Sequence, residues 1–448
     1  MRNCIRKILL CLLAALTLLP ALTPQAKAGE PSAYFGDEPE TNSTVDLLYE
    51  VTSGQLLYEK DIYEKAYPAS TTKIMTALLA LENCDLDEIV TVTSDAWRGL
   101  NRDSSIAGLS TGEYLPMRDM LICLLVASGN EAANAIAIHI AGSISAFVDM
   151  MNRRAEELGC VNTHFVNPHG LHNENHYTCA YDMLQITLAA RSFSTFQEIV
   201  SQPRTTIAPT NKYEEERKFN NTNLLLSNTN TSEYLYSKAT GIKTGYTTPA
   251  GYCLVSSAKN DELEFVAIVF GGEILRRDNG TTVNGCYRDT LRLYRWGYEK
   301  FKVVRVLSEG EIMTEAFVDQ AQDVDHVLLE STAEVNAVLH RKQNKDEIFS
   351  VVTTVQPDLV APIEKGQVLG SLILYKQGQF YFNCDLVASS PVARSEFLSR
   401  YSRVREFLRS NNVRFALTGL VIIIVGYVLF VLIYNSWRKK HPRRYRRR

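Results

Sequence analysis

Ser70 and Lys73, in Pro68-Ala69-Ser70-Thr71-Thr72-Lys73, place a hydroxyl and an amine three residues apart. On a helix that spacing puts both on one face, so the amine can take the proton of the hydroxyl and leave a nucleophilic oxygen. Serine needs such an adjacent base, and a desolvated lysine is neutral enough to serve. The proline before and the apolar run Ile74 to Leu81 after predict a helix starting here. Its dipole would favour negative charge developing beside the serine. Ser128-Gly129-Asn130 interrupts a long apolar stretch between Met120–Ala127 and Ala132–Ala141. Gly129 makes a continuous helix unfavourable. A turn between two buried helices is therefore expected, with the Ser128 hydroxyl and the Asn130 amide facing a cleft. Lys243-Thr244-Gly245 precedes two strand-like runs, Tyr252–Ser257 and Leu263–Phe270, with Asn260-Asp261 as the hairpin turn. On a sheet edge, a lysine and a threonine can hold a carboxylate, and a glycine lets a substrate backbone come close.

A Ser-x-x-Lys spacing arises by chance roughly once or twice in a chain this long, so the inference rests on the ordered set. In that order the three segments resemble the low-molecular-weight penicillin-binding proteins, serine D-alanyl-D-alanine carboxypeptidases. The likeness covers roughly Ala33 to Lys300. It extends to Asn167-Pro168-His169-Gly170-Leu171, to Asn221-Thr222-Asn223-Leu224-Leu225 and to the flanks of Lys243. It implies an α+β fold: a serine β-lactamase/DD-peptidase-like catalytic domain of antiparallel sheet and helices, then a small all-β domain. It also implies roles. Ser70 would be the nucleophile and Lys73 its base. Ser128 would relay a proton to the leaving amine, and Asn130 would hold the substrate amide. Lys243 and Thr244, beside Gly245, would bind the terminal carboxylate. The N–H groups of Ser70 and Tyr246 would form the oxyanion hole. His169 would either line the cleft or brace its loop, and His172 and His176 are weaker candidates still.

By that resemblance the substrate is a peptidoglycan stem peptide, β-lactam antibiotics acylate the same serine, and no cofactor or metal is needed. Two other readings share the motifs. A class A β-lactamase would carry a Glu-x-x-Leu-Asn run between the second and third motifs, which Glu156-Glu157-Leu158-Gly159 does not match. A non-catalytic penicillin sensor would need a signalling domain, for which the basic C-terminal tail offers no room.

The 448 residues exceed one typical domain. Net charge is −3, but four basic residues in 1–28 and eight in 438–448 leave about −15 for residues 29–437. A nucleic-acid-binding body would be basic, so no nucleic-acid partner is expected. Arg2, Arg6 and Lys7, the apolar run Ile8–Leu19 and Ala26-Lys27-Ala28 form a secretory signal spanning 1–28. The seven remaining cysteines, Cys84, Cys123, Cys160, Cys179, Cys253, Cys286 and Cys384, are dispersed and odd in number, unlike a disulfide framework. Most read as small buried side chains. No Cys-x-x-Cys or His-x-x-x-His spacing suggests a metal site.

Residues 29–45 read as a loose lead-in, and the catalytic domain as 29–300. From Phe301 the pattern shifts to short strands: Val303–Leu307, His326–Leu329, Ile348–Val355, Val368–Tyr375 and Phe380–Val387. They predict an antiparallel β domain over 301–394, a spacer or interaction platform. Within the juxtamembrane segment 395–414, Ser395–Ser410 carries Phe397, Leu398, Tyr401, Val404 and Leu408 at helical spacing among four arginines. Such a juxtamembrane helix would lie on anionic lipid or pack on the β domain. Phe415–Tyr434 is uncharged, apolar and long enough to span a bilayer, as part of a transmembrane helix over 415–436. The basic tail 437–448 then sets the topology: cell membrane, single pass, catalytic domain extracytoplasmic and C-terminus cytoplasmic.

Overall fold

Strict alternation governs the strand Glu264–Gly272, whose two faces are both apolar. Phe265, Ala267 and Val269 point to one buried cluster, and Val266, Ile268 and Phe270 to another. A strand buried on both sides must lie inside a layered structure. The computed structural model describes residues 35–229 and 231–440. The secretory signal, Cys4, Cys11 and the 441–448 part of the basic tail lie outside the described residues.

The strand is the centre of a five-stranded antiparallel sheet. Its members are β1 (Val45–Glu50), β2 (Gln55–Lys60), β3 (Ala239–Thr247), β4 (Gly251–Lys259) and β5 (Glu264–Gly272), in the order β2-β1-β5-β4-β3. β3, the strand of Lys243, is an edge, as the sequence predicts. The chain turns from β4 to β5 at Asn260, whose side chain accepts from Glu262 N and Leu263 N.

One face of the sheet packs on the helices inserted between β2 and β3. These are α1 (Lys73–Asn83), α2 (Met117–Leu125), α3 (Asn130–Ala141), α4 (Ile144–Glu157), α5 (Ala180–Arg191) and α6 (Ser194–Ser201). The other face is covered by α7 (Gly285–Lys300), through Leu293, Tyr294 and Trp296. α1 is buried along its first eight residues, from Lys73 to Ala80. A helix apolar all round can only sit in the core, and its depth is what removes Lys73 from water.

From Phe35 onward the lead-in is not loose. Phe35 stacks on His340 with ring centroids 4.0 Å apart. Asn42 N, Ser43 N and Ser43 Oγ all donate to Asp289 Oδ2 at 2.8 Å. The buried carboxylate of α7 thus fixes a segment whose polar composition alone suggests a free linker.

By its contacts the chain divides into two units, residues up to Val303 with Val338–Arg341 and the remainder. The second contains another five-stranded antiparallel sheet. Its strands are β6 (Ile312–Phe317), β7 (His326–Ser331), β8 (Phe349–Val355), β9 (Val368–Lys376) and β10 (Gln379–Ala388), in the order β6-β7-β10-β9-β8. They enclose a core that includes Leu329, Leu372, Leu374 and Leu386. Ile312–Phe317 is unannounced by the sequence because Met313, Glu315 and Ala316 are weak strand formers, and pairing with β7 overrides that preference.

Two helices close the described chain, α8 (Glu396–Arg409) and α9 (Asn411–Lys440). The break falls at Ser410, earlier than the sequence predicts. Ser410 is extended, and its Oγ donates to Phe407 O and accepts from Val413 N, ending one helix and capping the next. Within α9, Asn411–Trp437 is long and apolar enough to cross a membrane, and its most apolar 18 residues have a mean hydropathy of 2.9. It is the one such single helix among the described residues.

Candidate active site

Pro68 leads into a tight 3-10 turn, Ala69–Thr72, and α1 continues from it. Ala69 is left-handed, with φ of +47°, a conformation costing about 1–2 kcal/mol for a residue bearing a Cβ. The turn is held closed by its threonines. Thr71 Oγ1 donates to Pro68 O at 2.7 Å and Thr72 Oγ1 to Ala69 O at 2.8 Å. Ser70 therefore sits on a strained corner in front of a buried helix.

Lys73 is fully buried and has three partners: Ser70 Oγ at 3.0 Å, Asn130 Oδ1 at 2.7 Å and His169 O at 2.8 Å. Burial, helped by the nearby Lys243 charge and opposed by Glu131, pushes its amine well below the usual lysine range. A neutral amine has two N–H donors and one lone pair. The amide and carbonyl oxygens accept the two donors, which leaves the lone pair for the Ser70 hydroxyl. The geometry allows the amine to accept the hydroxyl proton.

The second segment arrives between α2 and α3. Ser128 is buried and left-handed, with φ of +62°. Asn130, the first residue of α3, reaches Lys73 through its side chain. Gly129 packs so closely that a Cβ there would lie 3.0 Å from Ala107 Cβ and 3.1 Å from Cys123 O. The turn expected from the sequence is present, and the residue bending it is Ser128.

On β3, Lys243 is buried and its Nζ donates to Thr244 O at 3.1 Å. Desolvation lowers its amine to about 7. Thr244 Oγ1 donates to Thr222 Oγ1 at 2.9 Å. Gly245 brings the strand against the nucleophile's turn, since a Cβ there would lie 2.8 Å from Ser70 N. Tyr246 follows, 55 % exposed as a residue, with its ring 4.6 Å from that of Tyr252. The backbones of Ser70 and of β3 are thus adjacent, as a two-donor anion hole requires.

His169 braces rather than lines. Its carbonyl accepts from Lys73, its ring Nδ1 accepts from Leu171 N at 3.2 Å, and burial lowers the ring well below the usual histidine range. Three groups to which the sequence alone assigns no clear role complete the frame. Asn167 Oδ1 accepts from Gly170 N at 2.6 Å and its Nδ2 donates to Leu171 O at 2.9 Å. His176 accepts from Val166 N at Nδ1 and meets Thr72 Oγ1 through Nε2 at 2.8 Å, so it is neutral and donates there. Burial holds its ring at about 3. Asn223 ties the loop before β3 to Gly241 O at 2.9 Å. Asn167 and Asn223 stand in family-like segments, which was their only signal; His176 becomes interpretable only once Thr72 is beside it. Glu131 is buried as well, accepting from Ala107 N at 2.6 Å.

An antiparallel sheet with helices on both faces, and a serine, a buried lysine and an edge strand meeting at their junction, define the active-serine penicillin-binding class of hydrolases. A family model of D-alanyl-D-alanine carboxypeptidases matches residues 33–273. A second, the C-terminal domain of penicillin-binding protein 5, matches 301–394. The chain belongs to the serine D-alanyl-D-alanine carboxypeptidase family. It is 32 % identical to the D-alanyl-D-alanine carboxypeptidase DacF of Bacillus subtilis over 359 residues, 79 % of this chain and 85 % of that protein. It is 30 % identical to DacD of Escherichia coli over 84 % of this chain and 93 % of that protein. The structure of penicillin-binding protein 5 from Haemophilus influenzae aligns with a TM-score of 0.58 at 27 % identity, over 80 % of this chain and 99 % of that one. Its fold and activity are therefore those of the first reading, not those of a β-lactamase or a sensor.

Proposed function

We propose that this carboxypeptidase trims the terminal D-alanine from peptidoglycan stem peptides, with Ser70 as nucleophile. The observation that carries the assignment is the 3.0 Å contact between the Ser70 hydroxyl and the amine of the fully buried Lys73, which burial pushes well below the usual lysine range. Lys73 takes the hydroxyl proton as Oγ bonds to the carbonyl carbon of the penultimate D-alanine. The N–H groups of Ser70 and Tyr246 hold the resulting oxyanion, a contribution of about 3 kcal/mol for each donor. As the oxyanion collapses, the peptide C–N bond breaks and the leaving amine takes a proton relayed through Ser128. Asn130 orients the substrate amide, and Lys243 with Thr244 receives the terminal carboxylate. Water then cleaves the ester, and the proton returns to Ser70. A β-lactam presents a comparable carbonyl and carboxylate and acylates the same oxygen. Its ester should persist, because no carboxylate among the described residues hydrogen-bonds Ser70 or Lys73 to activate a water. A fluorescent penicillin should label the protein, and D-alanine should be released from a pentapeptide. Ser70→Ala should abolish both, and labelling that survives this substitution would refute the assignment.

The membrane topology belongs to the same proposal. Asn411–Trp437 crosses the bilayer once, with the basic residues after it on the cytoplasmic side, where positive charge stays. Domain limits of 29–300 and 301–394 belong to the same proposal, with the junction between the juxtamembrane and membrane helices moved from 414/415 to Ser410. Deleting residues 411–448 should move the protein to the soluble fraction with small-peptide activity unchanged. Activity on intact wall should fall as the local concentration near it drops. Removal of the tail by protease added outside the cell would overturn the orientation.

A further inference from the structure

Three metal-ligating side chains from separate elements meet at the end of α1 and α3 that is remote from the nucleophile. Cys84 follows the last residue of α1, its N–H donating to Ala80 O at 3.0 Å. Glu88 closes the short loop that follows, just before the strand Ile89–Thr91. His139 lies in the last turn of α3. One sulfur, one carboxylate oxygen and one ring nitrogen lie within 4.8 Å of one another, and His139 Nε2 is 2.8 Å from Glu88 Oε1. No spacing rule finds this group, because 51 residues separate Glu88 from His139.

We propose that Cys84, Glu88 and His139 form a Zn²⁺ site outside the catalytic cleft. Thiolate, imidazole and carboxylate together are the donor set of zinc, and sulfur turns the choice away from Mg²⁺ and Ca²⁺. Zinc bonds of about 2.3 Å to sulfur and about 2.0–2.2 Å to nitrogen and oxygen put tetrahedral ligands about 3.3–3.7 Å apart. Metal binding therefore requires the His–Glu pair, now 2.8 Å apart, to open slightly and the thiol, within 4.8 Å of both, to close in. The backbone is already fixed, since Glu88 O accepts from Met117 N at 2.8 Å and Leu86 O from Arg118 N at 3.0 Å. Glu88 is exposed and Cys84 and His139 are half-buried, so water can take the fourth position.

The placement gives the site a purpose. α1 begins at Lys73 and α3 at Asn130, and their other ends meet here. A helix of this length spans about 16–18 Å, too far for the metal to enter the chemistry. It would clip together the two helices that carry the base and its partner.

Co²⁺ in place of Zn²⁺ tests this on the metal-free full-length protein in detergent. One equivalent should produce a near-ultraviolet thiolate-to-cobalt absorption and the strong visible bands of four-coordinate cobalt, both displaced by Zn²⁺. Cys84→Ser should remove the thiolate absorption. His139→Gln should weaken zinc affinity by about tenfold or more, at least the loss seen for outer-shell partners. Zinc should raise the melting temperature of the wild type but not of Cys84→Ser. Penicillin labelling of Ser70 should persist in both variants, which establishes that they are folded. Saturating Co²⁺ without a thiolate band, or a band that survives Cys84→Ser, would overturn the site.

Discussion

Replacing Lys73 by methionine is expected to lower D-alanine release by about a thousandfold, within the range for loss of a positioned general base. The methionine matches the lysine in length and suits a buried position, so the loss would report on the proton acceptor. It leaves Asn130 Oδ1 and His169 O without the amine they now accept from. A buried acceptor deprived of its donor costs about 1–3 kcal/mol, which a melting curve reads separately from the rate. Retention of a tenth or more of the wild-type rate would show that another group takes the proton.

The two lysines also set the pH profile. Lys73 must be neutral to act, and its amine is held well below the ordinary lysine range. The rate should therefore climb on the acid side as Lys73 loses its proton. Lys243 must be charged to hold a carboxylate, and in the free protein it loses its proton near about 7. The profile of kcat/KM, which reports the free enzyme, should bend down above that point. Lys243→Arg keeps the charge at every accessible pH, so it should remove the alkaline bend while lowering the plateau. An alkaline bend unchanged in that variant would assign it to another group.

The sequence made the chemistry of this site legible and left its scaffolding mostly hidden. Ser70, Lys73, Ser128, Asn130 and Lys243 stand in short segments whose spacing has a direct physical meaning, and a sheet edge is the setting expected for Lys243, though the strand order that makes β3 an edge is not in the sequence pattern. The apolar run Leu263–Phe270 was legible as a strand, but not the burial of both its faces. What holds these parts together is non-local. The Asn42–Ser43 anchor on Asp289 spans 247 and 246 residues, and composition has no means of expressing it. The pairing of His176 with Thr72 bridges 104 residues, and only the fold turns that histidine from a loop residue into a brace. Ser128 was legible as a turn but not as the left-handed residue within it, because a serine in that conformation is paid for by its surroundings.

Gly170 should prove the least replaceable residue that never touches substrate. It is left-handed, with φ of +89°, and a Cβ built there would lie 1.8 Å from the Ala69 carbonyl oxygen and 2.9 Å from Thr72 Oγ1. The first neighbour is backbone and cannot swing aside. It is also the carbonyl next to the nucleophile, already held by the Thr72 hydroxyl in a strained turn. Gly170→Ala must push the Asn167–Leu171 loop away from the Ser70 corner or the corner away from the loop. Either shift moves His169 O, one of the two acceptors that orient Lys73. Left-handed strain together with overpacking should cost about 2–5 kcal/mol of stability. A displacement of about 1 Å between nucleophile and base can slow reaction by about a hundredfold. The expected result is a lower melting temperature together with penicillin acylation slowed by about that factor, measured at a temperature where the variant is still folded. A control such as Gly159→Ala has a positive φ of +77° but nothing within 4 Å of its Cβ. It should lose some stability and keep its acylation rate. Equal acylation rates in Gly170→Ala and the wild type would show that the loop does not position the catalytic pair.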